Sequence, residues 1–168
     1  MKPKTKNNIL AASILAVTAL LACTFAPSMA TAQKPDAQSA HGRLAGVWES
    51  SVTITNCQTG AVLVSFRGLG KFDPDGGLEQ MNNMPPALGK IGLGSWQYTG
   101  AQHYVATFEF FRFDATGAYS GIQKVTRDIE LVPGSNTFTS TIAFISYDVN
   151  GNPIATGCGT ETATRVID

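Results

Sequence analysis

From Leu44 to the end of the chain, apolar and polar residues alternate in eight segments that are separated by short, turn-forming sequences. A period of two residues, with many β-branched and aromatic side chains, is typical of β-strands. Gly, Pro, Asn and Asp between the segments favour tight turns. We predict strands at 46–57, 61–72, 77–82, 92–98, 102–114, 118–132, 136–148 and 153–166.

The short connections favour a meander in which consecutive strands pair in antiparallel fashion. An open eight-stranded sheet would expose two unpaired edges, and closure into a barrel removes them. We therefore predict an all-β fold: a single eight-stranded antiparallel up-and-down barrel with no substantial helix. Only the connection 84–90 is longer, and it has room for one helical turn.

The start of the chain has the organisation of a signal peptide. A cationic beginning precedes the apolar run 9–22, which is shorter than the roughly 20 residues that span a bilayer. Small residues at alternate positions then place a cleavage site after Ala32. We predict a signal peptide at 1–32, a flexible leader at 33–43 and the barrel domain at 44–168.

A second interpretation of the same segment involves a lipid anchor. Leu20-Leu21-Ala22-Cys23 resembles a bacterial lipoprotein box, in which Cys23 would be lipidated. Because leucine at the second position matches that box poorly, we favour an exported protein, periplasmic or extracellular, with lipidation of Cys23 as the alternative. We expect no stable transmembrane anchor.

Composition narrows the classes of partner. Lys plus Arg and Asp plus Glu number 12 each, so no basic excess points to nucleic acid. Two histidines and three cysteines are too few for most His/Cys metal centres. The Asp-rich turns that begin at Asp73 and Asp148 lack the spacing and closing Glu of a calcium loop, and we interpret them as hairpins. We expect neither a metal nor a cofactor.

Export also bears on the cysteines. Cys57 and Cys158 would be the two thiols left in an oxidising compartment, which favours a disulfide between them. Its loop of about 100 residues would stabilise the fold by roughly 4–5 kcal/mol through loop-closure entropy. The bridge would make the first and last strands neighbours, as closure of a barrel requires.

A register follows if the two cysteines are directly opposed. Ser50 would then lie opposite Arg165, and Ile54 opposite Glu161. Arg165 would share a face with Trp48, one diagonal step away, within reach of a guanidinium–indole contact.

Gly46-Val47-Trp48 at the head of the first strand resembles the G-x-W motif of lipocalins. Arg165 is similar to the arginine that packs across that tryptophan in the family. Strand count, meander order and export also resemble lipocalins or the wider calycin group. Barrels of the allene-oxide-cyclase or dirigent type fit the strand pattern as well. The resemblance implies a closed barrel, and a shared fold does not by itself imply a shared function.

Aromatic side chains are concentrated in the fifth strand and recur in the second and seventh. An eight-stranded barrel is just wide enough to be packed solid or to hold one small ligand. The aromatics therefore either fill the core or line a ligand cavity. In the second case the candidate ligand-binding residues are Trp48, Phe66, Tyr104, Phe108, Phe110, Arg127 and Arg165.

Charged residues also occur within strands. Both faces of the fifth strand mix apolar and charged residues, so one of Glu109 and Arg112 should point inward. A buried charge needs a partner, for instance Glu109 with Arg127 or Arg67. Glu161 has small neighbours on its own face, and it is the first candidate for a polar anchor or a general acid. Glu161 and Glu109 are the candidate catalytic residues.

Three functions remain open. We favour a non-enzymatic exported barrel that binds a small hydrophobic or amphipathic molecule in its lumen. The alternatives are a barrel isomerase or cyclase that acts on a hydrophobic substrate, and a cell-envelope structural or adhesion module with a solid core. The volume and lining of the lumen distinguish the three.

Overall fold

The computed structural model of the protein describes residues 42–85 and 91–167. The predicted signal peptide, residues 33–41 of the predicted leader, Cys23 and residues 86–90 of the longest connection lie outside the described residues. The eight strands are β1 (Gly46–Thr55), β2 (Val62–Phe72), β3 (Gly77–Asn82), β4 (Ile91–Gly100), β5 (His103–Phe113), β6 (Tyr119–Leu131), β7 (Thr137–Tyr147) and β8 (Pro153–Arg165).

Each strand pairs in antiparallel fashion with the next, and β8 pairs with β1, so the sheet closes into a barrel. The predicted fold class is confirmed. Closure gives each of the eight described strands a partner on both sides, which limits the main route by which strands associate between molecules. Among the described residues there is no helix with the length and apolar character needed to cross a membrane.

The predicted disulfide joins Cys57 and Cys158, whose Cα atoms are 5.6 Å apart. The two cysteines are not directly opposed, however, because β1 ends at Thr55 and Cys57 lies in the turn that follows. Thr55 is the residue opposite Cys158, and Trp48 is opposite Arg165. The predicted register was therefore wrong by two residues.

The offset of two residues preserves the predicted faces, since side chains alternate with a period of two. Ser50 lies opposite Ala163 rather than Arg165, and Glu161 lies opposite Val52. All of these side chains except that of Arg165, which is half-buried at a strand end, are buried within the barrel.

One half of the interior is packed with apolar side chains. The rings of Trp48 and Phe138 are 4.9 Å apart, and those of Trp96 and Tyr104 are 5.8 Å apart. Fully burying a large apolar side chain contributes about 1.5–3 kcal/mol, so each of the large side chains packed here stabilises the fold on that scale. Its members are Leu44, Trp48, Phe72, Leu78, Trp96, Tyr104, Ile129, Leu131, Phe138 and Ala163.

Arg165 closes the barrel at the packed half. Its guanidinium lies over the Trp48 ring, 4.2 Å from the ring centroid, and donates hydrogen bonds to the carbonyls of Ala45 and Arg43. The Trp48 indole N–H donates to the Leu44 carbonyl at 2.8 Å. The residues just before β1 are thus held across this end, which we call the closed end.

Candidate functional site

The other half of the interior contains a cavity of about 210 Å³ that reaches the opposite end of the barrel. The apolar residues of its wall are Val52, Ile54, Val64, Phe66, Met84, Phe108, Phe110, Val125, Ile142 and Phe144. The polar residues are Gln80, Asn82, Arg112, Gln123 and Arg127. An apolar wall with a few placed polar groups is typical of small-molecule sites.

A buried polar layer separates the packed half from the cavity. Along each strand, the residue of this layer lies between an inward-pointing residue of the packed half and the next inward position toward the cavity end. On β1, for instance, Ser50 lies between Trp48 and Val52. The layer consists of Ser50, Gln80, Arg127, Ser140 and Glu161. It forms the floor of the cavity, to which it contributes Gln80 and Arg127.

Arg127 and Glu161 form an ion pair in this layer, with Nη1 and Oε1 3.3 Å apart and both side chains almost fully buried. Ser140 donates a hydrogen bond of 2.8 Å to the other oxygen of Glu161, and the Arg127 guanidinium lies 4.7 Å from the centroid of Phe108. Burial lowers the pKa of Arg127, and the charge of Glu161 acts in the opposite direction. A guanidinium nevertheless stays protonated in proteins, so Arg127 brings a positive charge into the layer.

The inward-pointing charge of β5 is Arg112, which lines the cavity. Glu109 is on the outer surface, with its carboxylate 3.9 Å from the ammonium of Lys124. Arg67 is also on the outer surface. The predicted pairing of Glu109 with Arg127 or Arg67 was therefore wrong.

Several polar atoms around the cavity and its floor have no hydrogen-bond partner among the described residues. They are Ser50 Oγ, Gln80 Oε1, Arg112 Nη1, Arg127 Nε and Glu161 Oε1, the last of which contacts Arg127 as an ion pair. Buried polar atoms are usually hydrogen-bonded. These five atoms all belong to the cavity wall or to the polar layer, and none belongs to the packed half.

The candidate ligand-binding residues divide between the two halves of the barrel. Phe66, Phe108, Phe110 and Arg127 line the cavity. Trp48, Tyr104 and Arg165 lie at the closed end, where they pack against other residues of the chain and do not form the cavity wall.

The candidate catalytic residues are not in the cavity wall. The small neighbours of Glu161 do not open a space beside it, because the ring of Phe144 lies against Gly157 and the carbonyl of Thr53 lies against Gly159. The two oxygens of the Glu161 carboxylate contact Arg127 and Ser140. Glu109 is on the outer surface and faces solvent.

Several residues of the cavity wall were missed by the sequence analysis. Gln80 and Asn82 on β3 and Gln123 on β6 are polar side chains that point inward. The alternation of faces along a strand could have identified them, because Gln80 and Asn82 alternate with Glu79 and Met81, which are exposed. Sequence reasoning that expects apolar residues inside a barrel does not select such positions.

The Asp-rich turns form hairpins. At Asp73 the backbone N–H donates to the carbonyl of Gly77, and at Asp148 Oδ1 accepts hydrogen bonds from the backbone N–H groups of Asn150 and Asn152. Within 42–85 and 91–167, no group of three His, Cys, Asp or Glu side chains is placed to hold a metal ion.

Comparison of the chain with protein family models, curated proteins and solved structures gives no significant match. Fold and site together define its class: a disulfide-closed, eight-stranded up-and-down β-barrel whose interior is packed at one end and forms a cavity at the other.

Proposed function

We propose that the protein is a lipocalin-like exported barrel that binds a small hydrophobic or amphipathic molecule in its lumen. The observation that carries the proposal is the cavity of about 210 Å³ above the polar layer. A barrel with a solid core would instead be packed along its whole length, as this one is at the closed end.

The charged groups of the cavity wall favour binding over proton transfer. They are Arg112 and Arg127, and a guanidinium keeps its proton at any ordinary pH. Such groups are suited to hold a ligand through hydrogen bonds. An isomerase or cyclase would need a group at the cavity that gives up and regains a proton.

A role in the cell envelope has one observation in its favour. Leu69, Met81 and Ile91 follow one another across β2, β3 and β4 on the outer face, and all three are exposed. Exposed apolar neighbours of this kind occur at contact surfaces. Replacing Met81 with Lys should abolish such a contact and leave binding in the lumen unchanged.

Binding in the lumen is tested with octan-1-ol as the probe, by calorimetric titration of the full chain. Val64→Trp should fill the open end and weaken binding at least about tenfold, because its side chain lines the cavity. Leu63→Trp is the matched control, since that side chain is 65% exposed and points outward.

Tryptophan fluorescence of the unmodified chain is a poor reporter of this binding. Trp48 and Trp96 both belong to the packed half and are at most 4% exposed. If neither octan-1-ol nor octanoate binds the unmodified chain, or if octan-1-ol binds a correctly folded Val64→Trp variant equally well, the proposal is wrong.

A further inference from the structure

The cavity wall carries an arginine that no carboxylate of the described residues pairs with. Arg112 lines the cavity near the end of β5, and its Nη1 has no hydrogen-bond partner in the described part of the chain. No Asp or Glu is among the described residues of the wall. Arg127, by contrast, is balanced by Glu161 at 3.3 Å. The wall therefore has one net positive charge.

A guanidinium in this position favours an anionic ligand. Removing a charged donor from water without giving it a partner is costly, and that cost disappears when an anion binds it. The planar fork of Arg matches the two oxygens of a carboxylate, which makes the contact directional as well as charged.

The remainder of the cavity requires an apolar body on the same molecule. Phe110 lies two residues before Arg112 and also points inward, and Phe66, Phe144 and Ile142 complete an apolar wall. A ligand that pairs with Arg112 can therefore place its apolar part among these side chains.

The volume restricts the size of that body. A dry cavity of about 150 Å³ is large enough for benzene, a value known from another protein. The cavity here is about 210 Å³ and ends at the polar layer, so a single ring or a short chain fills it. A long acyl chain would have to extend beyond the barrel.

We propose that the lumen selects small amphipathic monocarboxylates, with the carboxylate bound by Arg112 and the apolar body enclosed by Phe66, Phe110 and Phe144. The inference rests on the proposed function, and it names the chemical class of the ligand.

Three probes with the same number of carbon atoms separate charge from apolar contact: octanoate, octan-1-ol and octylammonium. Their dissociation constants are measured by calorimetry at neutral pH on the full chain. Octanoate should bind roughly 10- to 100-fold more tightly than octan-1-ol, the range of a charge-assisted hydrogen bond, and octylammonium should bind most weakly.

Arg112→Met should remove the preference for octanoate while octan-1-ol still binds. Arg67→Met is the matched control, because it deletes one positive charge from the outer surface of the barrel and should leave the preference unchanged. The ratio of the three affinities in the unmodified chain tests the inference even if Arg112→Met does not fold.

The possible outcomes separate the inference from the function on which it rests. If octan-1-ol binds as tightly as octanoate, or if folded Arg112→Met retains the preference, the anionic ligand class is wrong and a lumen that binds apolar molecules remains. If none of the three probes binds, the proposed function itself fails.

Discussion

Arg127 on β6 and Glu161 on β8 form an ion pair inside the barrel across the intervening strand β7, which supplies Ser140 to the same carboxylate. The pair belongs to the polar layer between the packed half and the cavity. Each charge has a partner of opposite sign, and this lets the layer carry charge so close to an apolar core. The same neutralisation leaves Arg112 as the unbalanced charge among the described residues of the cavity wall.

Breaking this ion pair should be strongly destabilising. Arg127→Met or Glu161→Leu alone leaves a buried charge without its partner and should lower the free energy of unfolding by about 3–5 kcal/mol. The double variant should lose less than either single variant, because it leaves no isolated charge. Urea unfolding followed by circular dichroism measures all three.

The exposed pair of Lys124 and Glu109 provides the control for the ion-pair experiment, since its side chains are about half exposed. Lys124→Met should change the free energy of unfolding by less than about 0.5 kcal/mol. If the double variant loses as much free energy of unfolding as the Arg127→Met and Glu161→Leu variants together, the two side chains do not stabilise one another.

Arg165 should be needed for a stable closed end. It donates to the carbonyls of Ala45 and Arg43 and covers Trp48, so Arg165→Met should lower the free energy of unfolding by about 1.5–3 kcal/mol, the value of hydrogen bonds to a charged group. The emission of Trp48 should shift to longer wavelength as water reaches the ring.

Arg67→Met is again the control for this loss, and it should remain within about 0.5 kcal/mol of the unmodified chain. Equal stability of the Arg165 and Arg67 variants would show that the closed end does not depend on the arginine.

The disulfide should contribute much of the stability. Replacing both Cys57 and Cys158 with Ser should lower the free energy of unfolding by about 4–5 kcal/mol, because the bridge closes a loop of about 100 residues in the unfolded chain. Urea unfolding with and without a reducing agent measures this, and the double variant should not respond to the reducing agent. Mass analysis without reduction that finds two free thiols would contradict the bridge.

Two turn aspartates should make the fold sensitive to acid. A hydrogen bond from the Thr116 side chain, with others from backbone N–H groups, lowers the pKa of Asp114, and the Asn152 side chain and its N–H do the same for Asp148. A carboxyl with a lowered pKa in the folded state stabilises the fold above its unfolded pKa of about 3.9 and loses that contribution as pH falls through the folded value.

The unfolding midpoint of the unmodified chain in urea should therefore fall as the pH is lowered below about 4. In the variant Asp114→Asn with Asp148→Asn this dependence should be weaker, since asparagine keeps an oxygen that accepts the turn hydrogen bonds and does not titrate. Identical pH profiles for the two proteins would show that these turns do not contribute.

The local pattern of the sequence was sufficient for the architecture. Strict alternation specified eight strands, turn sequences such as Asp114 to Gly117 specified hairpins, and the bridge between Cys57 and Cys158 indicated closure. These features depend on residues near one another in sequence, or on a single covalent link, and their physical basis is the two-residue period of a strand. The shared face of Trp48 and Arg165 followed from the same period together with the bridge, which relates the faces of the first and last strands.

Tertiary structure decided the register and the interior. The bridge spans a diagonal because Cys57 lies beyond the end of β1, and alternation alone does not distinguish registers that differ by two residues. Arg127 cannot pair with Glu109, because Arg127 points into the barrel and Glu109 out of it. The curvature of the closed sheet instead brings Arg127 to Glu161, although β6 and β8 are not neighbours. The cavity exists because the side chains that point inward fill the barrel at one end and leave space at the other. Which side chains share a level of the barrel, and how much volume they fill together, depends on the pairing of all eight strands.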